Sequence, residues 1–319
     1  MQIAKTILFL MADQQKILVT GANGQLGREL RDLSPRFSHP IDTGFQFVFV
    51  SREELPIDNF SALKEFFEEH QPQYCINCAA YTKVDAAESH KEEAFLINAE
   101  AVSVIADLCR RNKAKLIHVS TDYIFNGMAT EPYTEESPTG PVSVYGASKL
   151  AGENYAMERN PGTIIIRTSW VYSSYGNNFV KTMLRLMKER TEINVVNDQF
   201  GSPTYAADLA ETILNIIANC QLPIGNWHAG IYNYSNDGII NWFDFAMAIK
   251  ELTGSQCKIN PIPTSQYPTP ARRPMYSVLD KRKIQGTFDI KLKDWKESLA
   301  VCIQKLAPAN NEQGTRNVE

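Results

Sequence analysis

Lys16-Ile17-Leu18-Val19-Thr20-Gly21-Ala22-Asn23-Gly24-Gln25-Leu26-Gly27 decides the fold. After Lys16 the next four residues are apolar or β-branched, and the run reads as a buried strand. Glycines follow at G-x-x-G-x-x-G spacing, and a helical pattern over residues 28–33 follows them. Strand, glycine turn and helix in that order make a phosphate cradle. Gly21 permits the tight turn, Gly24 lets backbone approach a pyrophosphate, and Gly27 lets the helix pack against the strand. The helix start adds N–H donors and the positive end of its dipole. Asn23, Gln25 and Leu26, set between the glycines, are expected to share the contact, so the segment predicts a dinucleotide site.

Outward from this stretch, strand and helix keep alternating. Strands are predicted at 45–50, 55–58, 74–78, 116–119 and 164–167, and helices at 61–70, 92–112 and 145–159. Unbroken alternation over 16–172 predicts an α/β chain with a doubly wound parallel sheet, a Rossmann domain. Beyond it the pattern loosens. Helices are predicted at 178–189, 205–218, 242–252 and 294–306, and strands at 193–196 and 230–234. Residues 258–274 hold Pro261, Pro263, Pro268, Pro270 and Pro274 and read as a constrained loop. Residues 173–306 are therefore read as a smaller, mixed α/β region that mainly binds substrate, some of whose elements return to the first sheet. Residues 307–319 read as a polar tail. Residues 1–15 read as an extension outside the fold, with Met11 a candidate start. The run at 7–12 is short for a secretory segment.

The 319 residues are 44% hydrophobic and 21% charged, ordinary for a globular protein. A net charge of -4 argues against a nucleic-acid partner. No apolar run reaches the roughly 20 residues of a membrane span. Cys75 and Cys78 form a C-x-x-C, but on a strand that spacing puts them on opposite faces, and no second pair follows. Reduced cysteines and a cytoplasmic location are expected.

In a doubly wound sheet the chemistry lies at the carboxyl ends of the strands. Ser51 and Arg52 follow the second strand, where an acid would hold the ribose 2′-hydroxyl of NAD. An arginine there suits the 2′-phosphate of NADP, which tilts the reading to NADPH over NADH, against repulsion from Glu53 and Glu54. Asp58 is placed near the adenine. Ala79, Ala80 and Tyr81 leave room for a cofactor. Ser120-Thr121-Asp122-Tyr123 puts hydroxyls at the end of a central strand, and His118 inside that strand reads as a packed residue. Tyr145 and Lys149 stand one helical turn apart. An ammonium so placed favours the phenolate and makes the phenol a usable acid or base. Glu153, one turn further, reads as a surface residue.

The glycine turn, Thr121 and Tyr145-x-x-x-Lys149 together resemble the extended or atypical short-chain dehydrogenase/reductase superfamily. Longer stretches are similar to the dTDP-4-dehydrorhamnose reductase family. They include Asn77-Cys78-Ala79-Ala80-Tyr81-Thr82, Val119-Ser120-Thr121-Asp122-Tyr123-Ile124-Phe125, Arg167-Thr168-Ser169-Trp170-Val171-Tyr172 and Pro268-Thr269-Pro270-Ala271-Arg272-Arg273-Pro274. The resemblance spans about residues 16–299. It implies NADPH-dependent reduction of the 4-keto group of dTDP-4-dehydro-L-rhamnose. Thr121, Tyr145 and Lys149 would be the catalytic trio, with Tyr145 and Lys149 also touching the cofactor. Thr121, Asp122, Tyr123, Trp170 and Arg273 would meet the nucleotide sugar. The chain departs from the pattern at Cys78, where the family has alanine, and in lacking the acid after the second strand. The resemblance also allows a homodimer and a magnesium ion whose ligands it does not place. Two rival expectations stand beside it. One is a nucleotide-sugar epimerase or dehydratase using the same trio and an added acid pair, for which Asp122 and Glu153 are the acids at hand. The other is a non-catalytic NADP-binding regulatory subunit, against which the intact trio argues.

Overall fold

The computed structural model describes residues 14–38, 44–220 and 226–307. Six strands form one parallel sheet: β1 (Lys16–Thr20), β2 (Gln46–Val50), β3 (Tyr74–Asn77), β4 (Lys115–Thr121), β5 (Ile164–Thr168) and, after β6 (Glu192–Val196), β7 (Gly230–Tyr234). Their order is β7-β5-β4-β3-β1-β2. The chain winds one way from β1 to β2 and the other way through β3, β4 and β5. The switch point between β1 and β3 opens a crevice at the strands' carboxyl ends.

The central strands are largely apolar on both faces because helices cover both. Leu18, Cys75, Leu116 and Ile165 pack on one side with Leu63 and Phe67 of α2 (Phe60–His70) and Ile105 of α3 (Ala101–Arg111). The helix α4 (Val144–Arg159) lies on the same side. Ile17, Val19, Ile76 and Ile117 face the other way. There they meet Leu30 of α1 (Gln25–Leu33) and Ile213 and Ile217 of α6 (Ala206–Asn219). A second core joins α5 (Phe179–Glu189), α7 (Trp242–Thr253) and α8 (Trp295–Leu306) around Phe245, Met183 and Leu299.

Side-chain caps fix several boundaries within a residue of the expected ones. Asn59, Ser143 and Asn178 each accept from a first-turn N–H of α2, α4 and α5, and Asn241 with Asp244 forms a capping box at α7. Gly254, at φ 64°, ends α7.

Three expected elements differ. Residues 55–58 alternate like a strand but run as turns, because Ser51 O takes the Leu55 N–H and Pro56 O takes that of Asn59. The first five residues of the proline-rich stretch form β8 (Lys258–Ile262), paired in parallel with β6. Pro261 is tolerated there because the two-stranded ribbon leaves an edge. The helix expected over 92–112 is interrupted by a π-helical turn at Leu96–Glu100. That turn brings Asn98 inward, where its side chain accepts from Tyr81 N–H at 2.8 Å and donates to Ser148 Oγ at 3.0 Å. A helix at Arg282–Phe288 has no counterpart in the expectations. The readings of residues 1–13 and 308–319 lie outside the described residues.

Candidate active site

The crevice at the switch point is a cleft of about 910 Å³. At one end lies the turn between β1 and α1. Gly21 has φ +67°, and a Cβ there would stand 2.7 Å from Ala79 N. A Cβ on Gly27 would stand 2.5 Å from Gly21 O. Gly24 caps α1 without any side-chain cap, so the first N–H groups of the helix open to the cleft. This is a cradle that accepts a pyrophosphate and that side chains would fill. Gly21→Ala is expected to cost roughly 1–3 kcal/mol through a strained backbone, seen as a lower melting temperature together with weaker NADP+ binding.

Of the expected cofactor residues, Gly21, Asn23, Gly24, Gln25, Leu26, Gly27, Arg52, Asp58, Ala79, Ala80, Tyr81, Tyr145 and Lys149 all line this cleft. Ser51 does not. It is buried beneath the rim, and its N–H donates to Glu54 Oε2 at 2.8 Å. Arg52 is exposed, with Nη2 3.7 Å from Glu93 Oε1. Glu53 and Glu54 are turned to local partners: Asn23 donates to Glu53, and Ser51 N–H to Glu54.

Thr121, Asp122, Tyr123, Tyr145, Lys149 and Trp170 line the other end. Thr121 closes β4, and its hydroxyl donates to Asp122 Oδ1 at 3.0 Å while accepting from Tyr123 N–H at 3.2 Å. The Tyr123 and Tyr145 rings meet edge to face at 5.5 Å. Burial pushes Asp122 up to about 6 and raises Tyr123. Tyr145 contradicts its expectation. Burial pushes its phenol up to about 12, opposed by the neighbouring Thr121 hydroxyl. Lys149 is itself lowered to about 8 by burial, against Glu153 and Cys78. The turn-to-turn spacing is as expected, and Lys149 Nζ donates to Val119 O at 2.7 Å and lies 3.4 Å from His118 Nε2.

Glu153 is not a surface residue. It is 1% exposed and binds Arg167 of β5 through three short contacts of 2.7 to 3.1 Å. A helix residue one turn from Lys149 must face the sheet as Lys149 does, and the buried guanidinium is what makes a carboxylate tolerable there.

Trp170 has φ 48°, rare for a bulky residue. Its ring stacks on Trp242 at 3.6 Å, and Gly201 leaves the space it fills. Arg273 lies outside the cleft lining. It donates to Asp85 Oδ2 at 2.7 Å, while its Nη1 is buried and has no partner among the described residues. Among the described residues no group of three or more His, Cys, Asp or Glu side chains stands ready to hold a metal ion.

Sequence reasoning gives Asn77 and Asn98 no role and reads His118 as a packed residue, which its burial bears out. All three are buried polar side chains within apolar strands or helices. A polar residue at a core position was the available signal.

Residues 15–307 match the sequence model of the family described as the RmlD substrate binding domain. The chain belongs to that family. Within it, the chain is 40% identical to a dTDP-4-dehydrorhamnose reductase of Burkholderia thailandensis, covering 91% of this chain and 99% of that protein. Among solved structures, a Clostridium acetobutylicum dTDP-4-dehydrorhamnose reductase shows 41% identity and a TM-score of 0.84, covering 92% of this chain and 99% of that one. The Bacillus anthracis dTDP-4-dehydrorhamnose reductase, solved in complex with NADP, shows 38% identity and a TM-score of 0.84 over the same shares.

Proposed function

We propose that this chain is an NADPH-dependent dTDP-4-dehydrorhamnose reductase, converting the 4-keto group of dTDP-4-dehydro-L-rhamnose to the alcohol of dTDP-L-rhamnose. One observation carries the reading: a single cleft holds the glycine turn at one end and Thr121, Tyr145 and Lys149 at the other. Family relatives of that name, matched over nearly their full length, support it. The glycine cradle and Arg52 fit NADPH, which when bound supplies the hydride. The protein supplies position and a proton. Tyr145, kept protonated by burial, donates to the oxygen as it gains charge. Thr121 turns its hydroxyl from Asp122 to the carbonyl and so aligns it. Lys149 would hold the nicotinamide ribose from the floor of the cleft. Trp170, set in a strained backbone, would bound the sugar, and the unpartnered Nη1 of Arg273 is a donor suited to the substrate's pyrophosphate. A dehydratase would need a second acid beside Asp122, and Glu153 is committed to Arg167.

Purified protein is expected to oxidise NADPH when given the dTDP-4-keto sugar. No oxidation with an authentic substrate would sink the reading. Replacing Arg52 with alanine removes an exposed cation, so the kcat/KM preference for NADPH over NADH is expected to fall about fivefold, on the order of 1 kcal/mol. An unchanged ratio would remove Arg52 from cofactor choice. A cytoplasmic location belongs to the same reading. The homodimer and magnesium ion that the resemblance allows belong to the same reading. Sedimentation with and without magnesium tests both.

A further inference from the structure

A polar row crosses the otherwise apolar face of the sheet beneath α4. Thr20, Asn77 and His118 are register partners on one rung across the neighbouring strands β1, β3 and β4. All three are buried, as is Lys149, which ends the row. Thr20 Oγ1 donates to Asn77 Oδ1 at 2.6 Å. Asn77 Nδ2 meets His118 Nδ1 at 3.1 Å, and His118 Nε2 meets Lys149 Nζ at 3.4 Å.

The direction of these bonds is fixed by a backbone group. Ala79 N–H, which can only donate, points at Asn77 Oδ1 at 3.3 Å. The amide NH₂ of Asn77 must therefore face His118 Nδ1, and Nδ1 must accept. A neutral imidazole then carries its proton on Nε2, aimed at Lys149. A neutral amine satisfies this arrangement: it accepts from His118 and donates to Val119 O at 2.7 Å. An ammonium does not, because it would oppose one N–H donor with another. Moving the His118 proton to Nδ1 only shifts the clash to Asn77. We propose that His118, locked in the Nε2–H tautomer by Asn77, is a positioning residue that favours the neutral amine of Lys149 over its ammonium in the nucleotide-free protein.

The other groups facing Lys149 are few. Tyr145 and Glu153 stand on its own helix, and Cys78 follows β3. Asp122, at the end of β4, faces Tyr145. Glu153 would favour the ammonium, but its charge is taken up by Arg167. The Cys78 thiol is kept protonated by burial. Burial also disfavours charge on His118 and Lys149 alike, in the same direction as the bond polarity. This inference rests on the proposed function only for the role of Lys149, and the geometry stands without it.

The test uses the full chain labelled with ¹⁵N-histidine, with His118→Gln to assign the resonance among five histidines. Without nucleotide, His118 is expected to show an unprotonated Nδ1 and a protonated Nε2, unchanged from about pH 6 to pH 9. Asn77→Asp places a carboxylate oxygen against Nδ1. It is expected to move the proton to Nδ1, leaving Nε2 to accept from a Lys149 ammonium. The Lys149 limb in the pH dependence of NADP+ affinity, read by tryptophan fluorescence without any sugar, is then expected to rise by about one unit, a tenfold gain in proton affinity. A wild-type proton on Nδ1 overturns the proposal whether or not Asn77→Asp folds. A folded Asn77→Asp protein with an unmoved limb overturns it too. Neither readout involves the keto sugar, so failure of the reductase assay leaves this result separate.

Discussion

Tyr145→Phe is expected to lower kcat about 10²–10⁴-fold while leaving the melting temperature and NADP+ affinity close to wild type. The substitution deletes one hydroxyl in a cleft and leaves the ring, which keeps its edge-to-face contact with Tyr123. Only the proton is lost. The direction of the phenol's shift decides how the pH profile should look. Reduction consumes a proton, so the useful form is the phenol. Burial pushes its pKa up to about 12, so the proton-bearing form fills the neutral range and is lost only as pH rises toward that value. The kcat/KM of reduction should therefore show no limb from Tyr145 below about pH 11. The reverse oxidation, which needs a base, should be slow at neutral pH and gain with rising pH. A Tyr145→Phe enzyme within threefold of wild type would remove the phenol from the chemistry.

The residues made the sheet and the cleft legible because both rest on short-range rules. Ile17, Leu18 and Val19 can lie in a strand only if both faces are covered, which is the signature of a doubly wound sheet. The glycine turn belongs between strand and helix because Gly21 and Gly27 have no room for a Cβ. With the sheet placed, the carboxyl ends of β1, β3 and β4 must share one crevice, and Gly24, Ala79 and Thr121 do. What sequence spacing could not give was the direction of side chains and their charge. Tyr145 and Lys149 at four-residue spacing read as a phenol tuned by an ammonium. Instead the lysine reaches down to His118 on the sheet, and burial acts on both the phenol and the amine. Strand pairing decides which polar residues meet, and Asn77 and His118 are 41 residues apart. The turn at 51–55 likewise competes for backbone bonds that a strand would have used. Arg273 shows the same gap from the other side. Its number in the sequence gives no hint that Asp85, 188 residues away, holds it.

Glu153→Gln is expected to destabilise the fold by about 3–5 kcal/mol, because it leaves the Arg167 guanidinium buried without its counter-charge. Arg167 has little else to turn to. Its Nη1 donates to Glu135 O at 3.1 Å, and its plane lies over Phe125 at 5.4 Å. Neither contact carries a formal negative charge. The pair bridges the helix that carries Tyr145 and Lys149 to the strand beside β4, and Glu135 extends it to β7 by accepting from Asn233 N–H at 2.8 Å. Loss of the pair should therefore be felt as a cooperative drop in the urea midpoint, with kcat falling because the helix bearing the catalytic side chains loses its anchor. The sign of a second variant separates a strong pair from a costly buried charge. Replacing Glu153 and Arg167 together with leucine and methionine removes both charges and keeps apolar volume. This double variant is expected to recover most of the lost stability, since the desolvation of two ions is no longer incurred. If Glu153→Gln melts with the wild type, the buried pair is not what fixes α4 to β5. If the double variant is as unstable as the single one, the loss lies in packing rather than in the stranded charge.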